Sequence, residues 1–424
     1  MPAPSSQPGA RVAFEYANFR WYLAARFLVN ISSEMQSVAV GWQIYGITHR
    51  PLDLGLVGLA QFLPGILLFL VTGHTADRYP RHRILQACYG TFPVTSALLV
   101  AFTIGRISSP YPIYLALLWN GTVRAFAGPA SQAFLPLLVD REHFSNAVAW
   151  SSSTFQTATI LGPVVGGVLY GFTGTPIPVY LCAGAAYIAA VSFMLQLRMN
   201  TKEHPPSAPS PAIVFEGLRF IWRNKLILGA MSLDLFAVLL GGAVALLPVY
   251  AREILGAGAS TLGLLRSAPG VGAVLMAIAQ AHFPLRRHEG KAMLACVAAF
   301  GACIVVFGLS RNLPLSLAAL ALAGAFDMVS VIIRHTLIQL RTPDEMRGRV
   351  SAVNTVFIGA SNEVGQFESG LTAQWFGTVP AVVLGGAATL AVVALWTRLF
   401  PALRRVDRLQ HEPFLADIPE TAQP

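Results

Sequence analysis

Charge is what this chain has least of. Lys, Arg, Asp and Glu make up 12% of its 424 residues, where a soluble domain carries roughly 25%. Hydrophobic residues make up 54%. Such a chain cannot cover itself with polar surface, which excludes a soluble globular protein and implies one embedded in a bilayer. Cysteine is scarce too. Cys88, Cys182, Cys296 and Cys303 all fall in apolar runs and form no CxxC pair, so they read as small buried hydrophobes rather than a disulfide or zinc framework. No GxxxxGK[ST] phosphate loop occurs, so ATP hydrolysis is not expected. The nine histidines form no HExxH and no ligand cluster. No serine, histidine or metal constellation sits at one membrane depth, so neither an embedded enzyme nor a metal or other cofactor is expected. "PGVG" at 269–272 follows no strand and reads as a helix kink or packing signal, not a dinucleotide fingerprint. The start "MPAPSSQPGA" has no basic n-region before an apolar core, so the first helix is expected to be retained.

What the chain has instead is apolar length. A helix needs about 20 apolar residues to cross a bilayer. Twelve runs qualify: 20–45, 52–72, 84–105, 112–138, 146–170, 177–197, 226–251, 261–283, 292–310, 315–340, 350–376 and 379–400. Turn signals such as "THRPLD", "FTGTPIP" and "SRNLPLS" separate most of them. The net charge of +9 suits nucleic acid in a soluble protein, but here topology explains it better. With the N-terminus inside, twenty-one of the 29 Lys and Arg fall in cytoplasmic segments. Arg50, Arg106, Arg252 and Arg311 fall outside, and Arg26, Arg124, Arg266 and Arg334 fall within runs. This bias predicts a multi-pass protein with both termini in the cytoplasm.

The chain divides six plus six. Residues 1–197 form the expected first bundle, 198–225 a cytoplasmic linker, and 226–424 the second bundle and tail. The linker's middle is rich in proline and serine. Its end, "AIVFEGLRFIWRNK", alternates apolar and basic residues and reads as an interfacial amphipathic helix. The halves are weakly alike: "GLAQFLPG" at 58–65 aligns with "GLLRSAPG" at 263–270, and basic loops follow the second run of each half.

Three motifs then appear. Between runs 2 and 3 lies "GHTADRYPRHR", with Gly73, Asp77, Arg78 and Arg81. Positive-inside anchoring explains the arginines but not an aspartate at a helix end. A latch explains both, since Asp77 can pair with arginine or a helix N-terminus in one global state and part in another. Run 4 holds "RAFAGPA", where Arg124 sits mid-span at a cost of about 2.5–3.5 kcal/mol and needs a partner or water. Gly128, one turn on, is expected to permit close helix approach. Run 5 holds "LGPVVGG", in which Gly162, Gly166 and Gly167 give a small-residue face and Pro163 a bend.

These strings resemble motifs of the major facilitator superfamily, and parallel six-helix repeats match its architecture. The loop matches G-x-x-x-D-R-x-G-R-[RK] at Gly73, Asp77, Arg78 and Arg81, with Pro80 in place of the second glycine and His82 in place of the last basic residue. "RAFAGPA" is similar to R-x-x-x-G patterns, with Ala127 where glutamine is usual. "LGPVVGG" resembles the G-P-x-x-G-G antiporter motif of export-type members, with an upstream glycine replaced at Ser153 or Thr154. Longer phrases, "RAFAGPASQAFLPLLV", "EGLRFIWRN" and "RGRVSAVNTVFIGASNEVGQFESGLTAQWFG", resemble bacterial exporters related to the enterobactin exporter, over nearly the whole chain. The resemblance implies an all-α fold of twelve membrane helices in two pseudo-symmetric bundles. It also implies efflux of siderophores, drugs or other amphiphiles by proton antiport, in a bacterial inner membrane, by a protein working as a monomer. It makes Arg124 a modulator of a proton-binding carboxylate; the other reading is a static ion pair.

Ionisable groups inside the runs are functional candidates. Arg26, Asn30, Glu34, Ser37 and Gly41 form one stripe of run 1. Glu34 lies near mid-span. In the family spans 1 and 4 are neighbours, so Glu34 is expected to take the proton with Arg124 competing for its charge. Asp327 and Glu363 are the other coupling candidates. Asp327 and Arg334 are seven apart, on one face, and read either as coupling residues or as a permanent salt bridge. Asp234 sits in the inner third of run 7. Asn30, Trp42, Phe126, Gln156, Asn354, Phe357 and Asn362 are the candidate substrate contacts, a mixed aromatic and amide wall that suits an amphipathic small molecule. The expected partners are that cargo, protons and the lipid bilayer. An importer or a lysolipid flippase of the same fold is the alternative function; a channel fits the latch and repeats less well.

Overall fold

A computed structural model describes residues 11–198, 211–285 and 287–407. Twelve long helical segments run through it, and among the described residues there is no strand. They are α1 (Ala17–Thr48), α2 (Pro51–Leu67) with α3 (Phe69–Arg78), α4 (Arg81–Ile104), α5 (Tyr111–Phe134), α6 (Phe144–Thr173) and α7 (Ile177–Leu195). After a short α8 (Pro211–Arg223) come α9 (Lys225–Gly241), extended through α10 (Leu247–Val249) and a π-helical turn Tyr250–Ile254, then α11 (Ala259–His282) and α12 (Glu289–Leu309). The last are α13 (Leu313–Arg341), α14 (Asp344–Phe376), α15 (Thr378–Leu399) and a five-residue α16 (Pro401–Arg405). The twelve-span reading of the hydropathy thus stands, with ends displaced by a few residues. The middle of the linker, residues 199–210, lies outside the described residues.

Eight of these segments are long and apolar enough to cross a membrane on composition alone. The other four are α1, the α2–α3 pair, α5 and α14. Polar and charged residues such as Arg26, Asn30 and Glu34 on α1, Arg124 on α5 and Asn354, Asn362 and Glu363 on α14 lower the hydropathy of three of them, while the break at Leu68 leaves α2 an apolar helix that is too short. A spanning helix tolerates such groups only where it faces protein or water.

Local chemistry sets the ends. Pro51 starts α2, where a missing N–H is harmless. Asn224 caps α9 by accepting from the Leu226 and Ile227 amides, each at 3.2 Å, and Asn312 caps α13 through the Leu315 amide at 3.3 Å. Gly174 closes α6 in the left-handed region at φ 67°, which glycine adopts without strain. Pro64 removes one backbone bond from α2, and the helix breaks four residues later at Leu68.

The chain forms two compact units. Among the described residues the first comprises 11–198 and 244–270, the second 211–243, 271–285 and 287–407. In the first, α1 packs on α6 and α7, α4 on α5 and α7, and α2 on α5. One core joins Phe19, Tyr22, Leu85, Phe134 and Tyr187. Another joins Ile44, Tyr45, Leu99 and Tyr180 with Val249 and Ala259 of the 244–270 segment. In the second unit, α12 packs on α13 and α15, while α9 packs on α14 and α15. Its main core joins Leu233, Val297, Ile333 and Trp396.

Candidate functional site

The α1 stripe and the glycine-rich string of α6 meet. A Cβ at Gly162 would come within 3.0 Å of the Glu34 Cβ, and one at Gly166 would strike the Met35 backbone. The next residues in register face the other way. Pro163 presents its carbonyl to Gly263, and a Cβ at Gly167 would strike the backbone of Ala259 and Gly263. "LGPVVGG" therefore serves two contacts at i,i+4 spacing: Gly162 and Gly166 against α1, Pro163 and Gly167 against the start of α11. Ser267 of α11 adds a hydrogen bond to the Ile160 carbonyl at 2.6 Å. Glu34 itself is half-buried, and Asn30, one turn before it, likewise. Arg26 donates to Ser151 of α6 at 2.6 Å.

Arg124 does not pair with Glu34. It donates to the Gln61 side chain of α2 at 3.1 Å and is exposed. The expected Glu34–Arg124 contact is therefore corrected: α5 meets α1 at Tyr22 and Ser131, 2.6 Å apart, nearer one end. An arginine exposed at mid-span is untenable in hydrocarbon, so this face of the first unit is a wetted one. Gly128, one turn on, faces open space, so the close approach expected there is absent.

The loop motif resolves into the end of α3 and the start of α4. Arg81 is buried and donates to the Ala133 carbonyl of α5 at 3.1 Å. Arg78 is exposed, and a Cβ at Gly73 would meet nothing. Asp77 lies in the last turn of α3; its side chain lies outside the described residues. At this end of the unit the Tyr16 hydroxyl donates to Asp140 at 2.7 Å, and the carboxylate holds the phenol above its ordinary pKa. It stays a donor throughout the neutral range.

The other end of the first unit carries a cluster that sequence reasoning did not assemble. Tyr45 donates to Glu253, and the Arg252 guanidinium lies 5.7 Å from the Trp42 ring centre. Arg252 and Glu253, consecutive residues of the π-turn, both reach α1. Trp42, a predicted substrate contact, is thus engaged by Arg252 and Tyr170. Gln156 makes a long contact to the Gly270 carbonyl at 3.5 Å, and Phe126 packs against the α1–α4–α7 core.

In the second unit Arg334 pairs with Asp234 of α9, not with Asp327 on its own helix. The side chains are 3% and 9% exposed, and the arginine Nε has no hydrogen-bond partner. Apolar side chains flank the pair on both helices, Leu233 and Ala237 on α9 and Ile333 and Leu337 on α13. Asp327 is half-buried and in no ion pair among the described residues. Glu363 accepts from Gln366 at 3.2 Å. Asn354 is buried, Phe357 packs beside Ile227 and Met231, and Asn362 is exposed and bonded to its own helix. The spacing rule found Arg334 but not its partner, since no local pattern links residues a hundred apart.

The profile of the transmembrane secretion effector family matches residues 10–421. The enterobactin exporter EntS of Citrobacter koseri is 27% identical over 390 residues, covering 91% of this chain and 92% of that protein. The same exporter from Escherichia coli strain SMS-3-5 is 26% identical over the same shares. Among solved structures, a bacterial homologue of the lysosomal transporter Spinster superposes with a TM-score of 0.69 at 14% identity, over 94% of this chain and 97% of that one. A D-xylose–proton symporter gives 0.68 at 12%, over 92% and 99%. A bacterial homologue of ferroportin gives 0.69 at 14%, over 92% and 99%.

Proposed function

Because the chain belongs to the transmembrane secretion effector family of major facilitator transporters, we propose that it exports a small amphiphilic molecule by proton antiport through alternating access. The cargo class is a siderophore, drug or related metabolite, by likeness to relatives that bear the name enterobactin exporter. The setting is a bacterial inner membrane with both termini in the cytoplasm, supported by the bias of basic residues. The observation that carries the reading is the seat of Glu34 on Gly162. The best-placed carboxylate of the first unit and the string that resembles an antiporter motif form one contact. A change in proton occupancy at Glu34 therefore bears directly on the helix that also holds the 244–270 segment.

Glu34 takes the proton, from its place on the face of α1 that meets Gly162 of α6. Asp327 and Glu363 are the corresponding carboxylates of the second unit. Asn30, Gln156, Asn354, Phe357 and Asn362 supply amide and aromatic contacts to cargo. Gly73, Asp77, Arg78 and Arg81 form the cytoplasmic latch, and Arg81 already ties α4 to α5.

The test is uptake into inverted vesicles with an imposed proton gradient, screened against siderophores, dyes and lysolipids. Saturable, gradient-driven uptake with proton release is expected. Glu34→Gln should keep downhill exchange and lose uphill uptake. Uphill uptake by Glu34→Gln with unchanged pH dependence would remove Glu34 from the mechanism. Transport of cargo in the opposite sense would favour the importer, and lipid translocation alone the flippase.

A further inference from the structure

We infer that α8 is a contact site for anionic phospholipid headgroups, held against the transport helices through α14. Its depth is fixed by its neighbour. One residue, Asn224, separates α8 from the spanning helix α9 and caps it. α8 therefore lies where α9 leaves the membrane.

The helix has two faces. Gly217 and Ile221 face inward. Ile221 is fully buried, and a Cβ at Gly217 would strike the Arg349 backbone of α14. At about 100° per residue the opposite arc runs Trp222, Arg219, Arg223, Glu216. Trp222 is 72% exposed, and Arg219, Arg223 and Lys225 are exposed as well. No described carboxylate pairs with these three cations. Glu216, the acid of the arc, is taken by Arg349. The outer face thus offers an indole beside unneutralised positive charge at the membrane surface.

That composition names its occupant. Indoles settle at the headgroup level, and guanidinium groups there bind phosphate. Water alone would not favour a large exposed indole, and a zwitterionic surface would leave three like charges uncompensated. Anionic lipid satisfies both requirements, with an enrichment of about fivefold per cation at low salt. The ion pair Glu216–Arg349 then joins the lipid contact to the first turns of α14, the helix that carries Asn354, Asn362 and Glu363.

The experiment uses the full chain in phosphatidylcholine vesicles that contain the same mole fraction of brominated phosphatidylglycerol or brominated phosphatidylcholine. The fluorescence of the wild type minus that of Trp222→Phe isolates the Trp222 signal. Quenching is expected to be several-fold stronger with the brominated anionic lipid. The excess should vanish at high salt and in Arg219→Gln/Arg223→Gln/Lys225→Gln. Equal quenching by the two lipids would overturn the inference. So would loss of the excess on adding inorganic phosphate at constant ionic strength, which would assign the cations to a soluble anion. Neither result depends on cargo or on proton coupling.

Discussion

Gly162 and Gly73 both belong to motif strings, yet they carry different weight. Gly162→Ala places a methyl on the Glu34 Cβ and forces α6 off α1. The expected cost is about 1–3 kcal/mol, read as a lower midpoint of thermal unfolding in detergent. Gly73→Ala adds a methyl in empty space inside a helix, where alanine is the better helix former, and should hold or slightly raise that midpoint. Asp234 gives a second prediction. Its removal as Asp234→Ala strands the Arg334 charge in an apolar setting, at about 3–5 kcal/mol. Asp234→Leu/Arg334→Met should recover most of that loss in the same assay. Failure of the double variant to recover would mean that the pair contributes through something other than charge. The α1 stripe was legible at this scale because residues three and four apart share a helix face. The partners of Arg124 and Arg334 were not, because Gln61 and Asp234 stand on other helices and hydropathy carries no pairing information.

Helical elements were readable almost throughout. Apolar length, turn residues and basic loops place twelve segments to within a few residues; polar residues on α1, α5 and α14 and the break at Leu68 account for the four that fall short. Two features escaped. The break at Leu68 follows from Pro64, but a proline inside a helix bends as readily as it breaks. The π-turn Tyr250–Ile254 has no sequence signature, and with it went the contacts of Tyr45 to Glu253 and Trp42 to Arg252. These contacts predict that Trp42→Ala/Tyr45→Phe loosens the 244–258 segment. Hydrogen exchange there should quicken by about tenfold, the loss of roughly 1–2 kcal/mol of local stability, while α12 and α15 keep their protection. Uniform quickening across both units would refute a local role.

For the whole molecule, the basic residues predict orientation. A green fluorescent reporter fused after Asp407 should fluoresce, and alkaline phosphatase inserted at Gly256 should be active only outside the cytoplasm. Alternating access by rocking of the two bundles expected from the sequence makes a sharper demand, because residues 244–270, which that division assigns to the second bundle, would have to part from α1 and α6 and return. Gly171 and Ser260 offer a staple across that contact. A Cβ at Gly171 lies 3.3 Å from the Ser260 Cβ, close to the roughly 3.5–4.5 Å that a disulfide spans. The decisive measurement is cargo transport by Gly171→Cys/Ser260→Cys, in a chain whose four native cysteines are replaced, before and after oxidation. Oxidation should stop transport and reduction restore it. Full-rate transport with the disulfide intact would contradict alternating access in this protein.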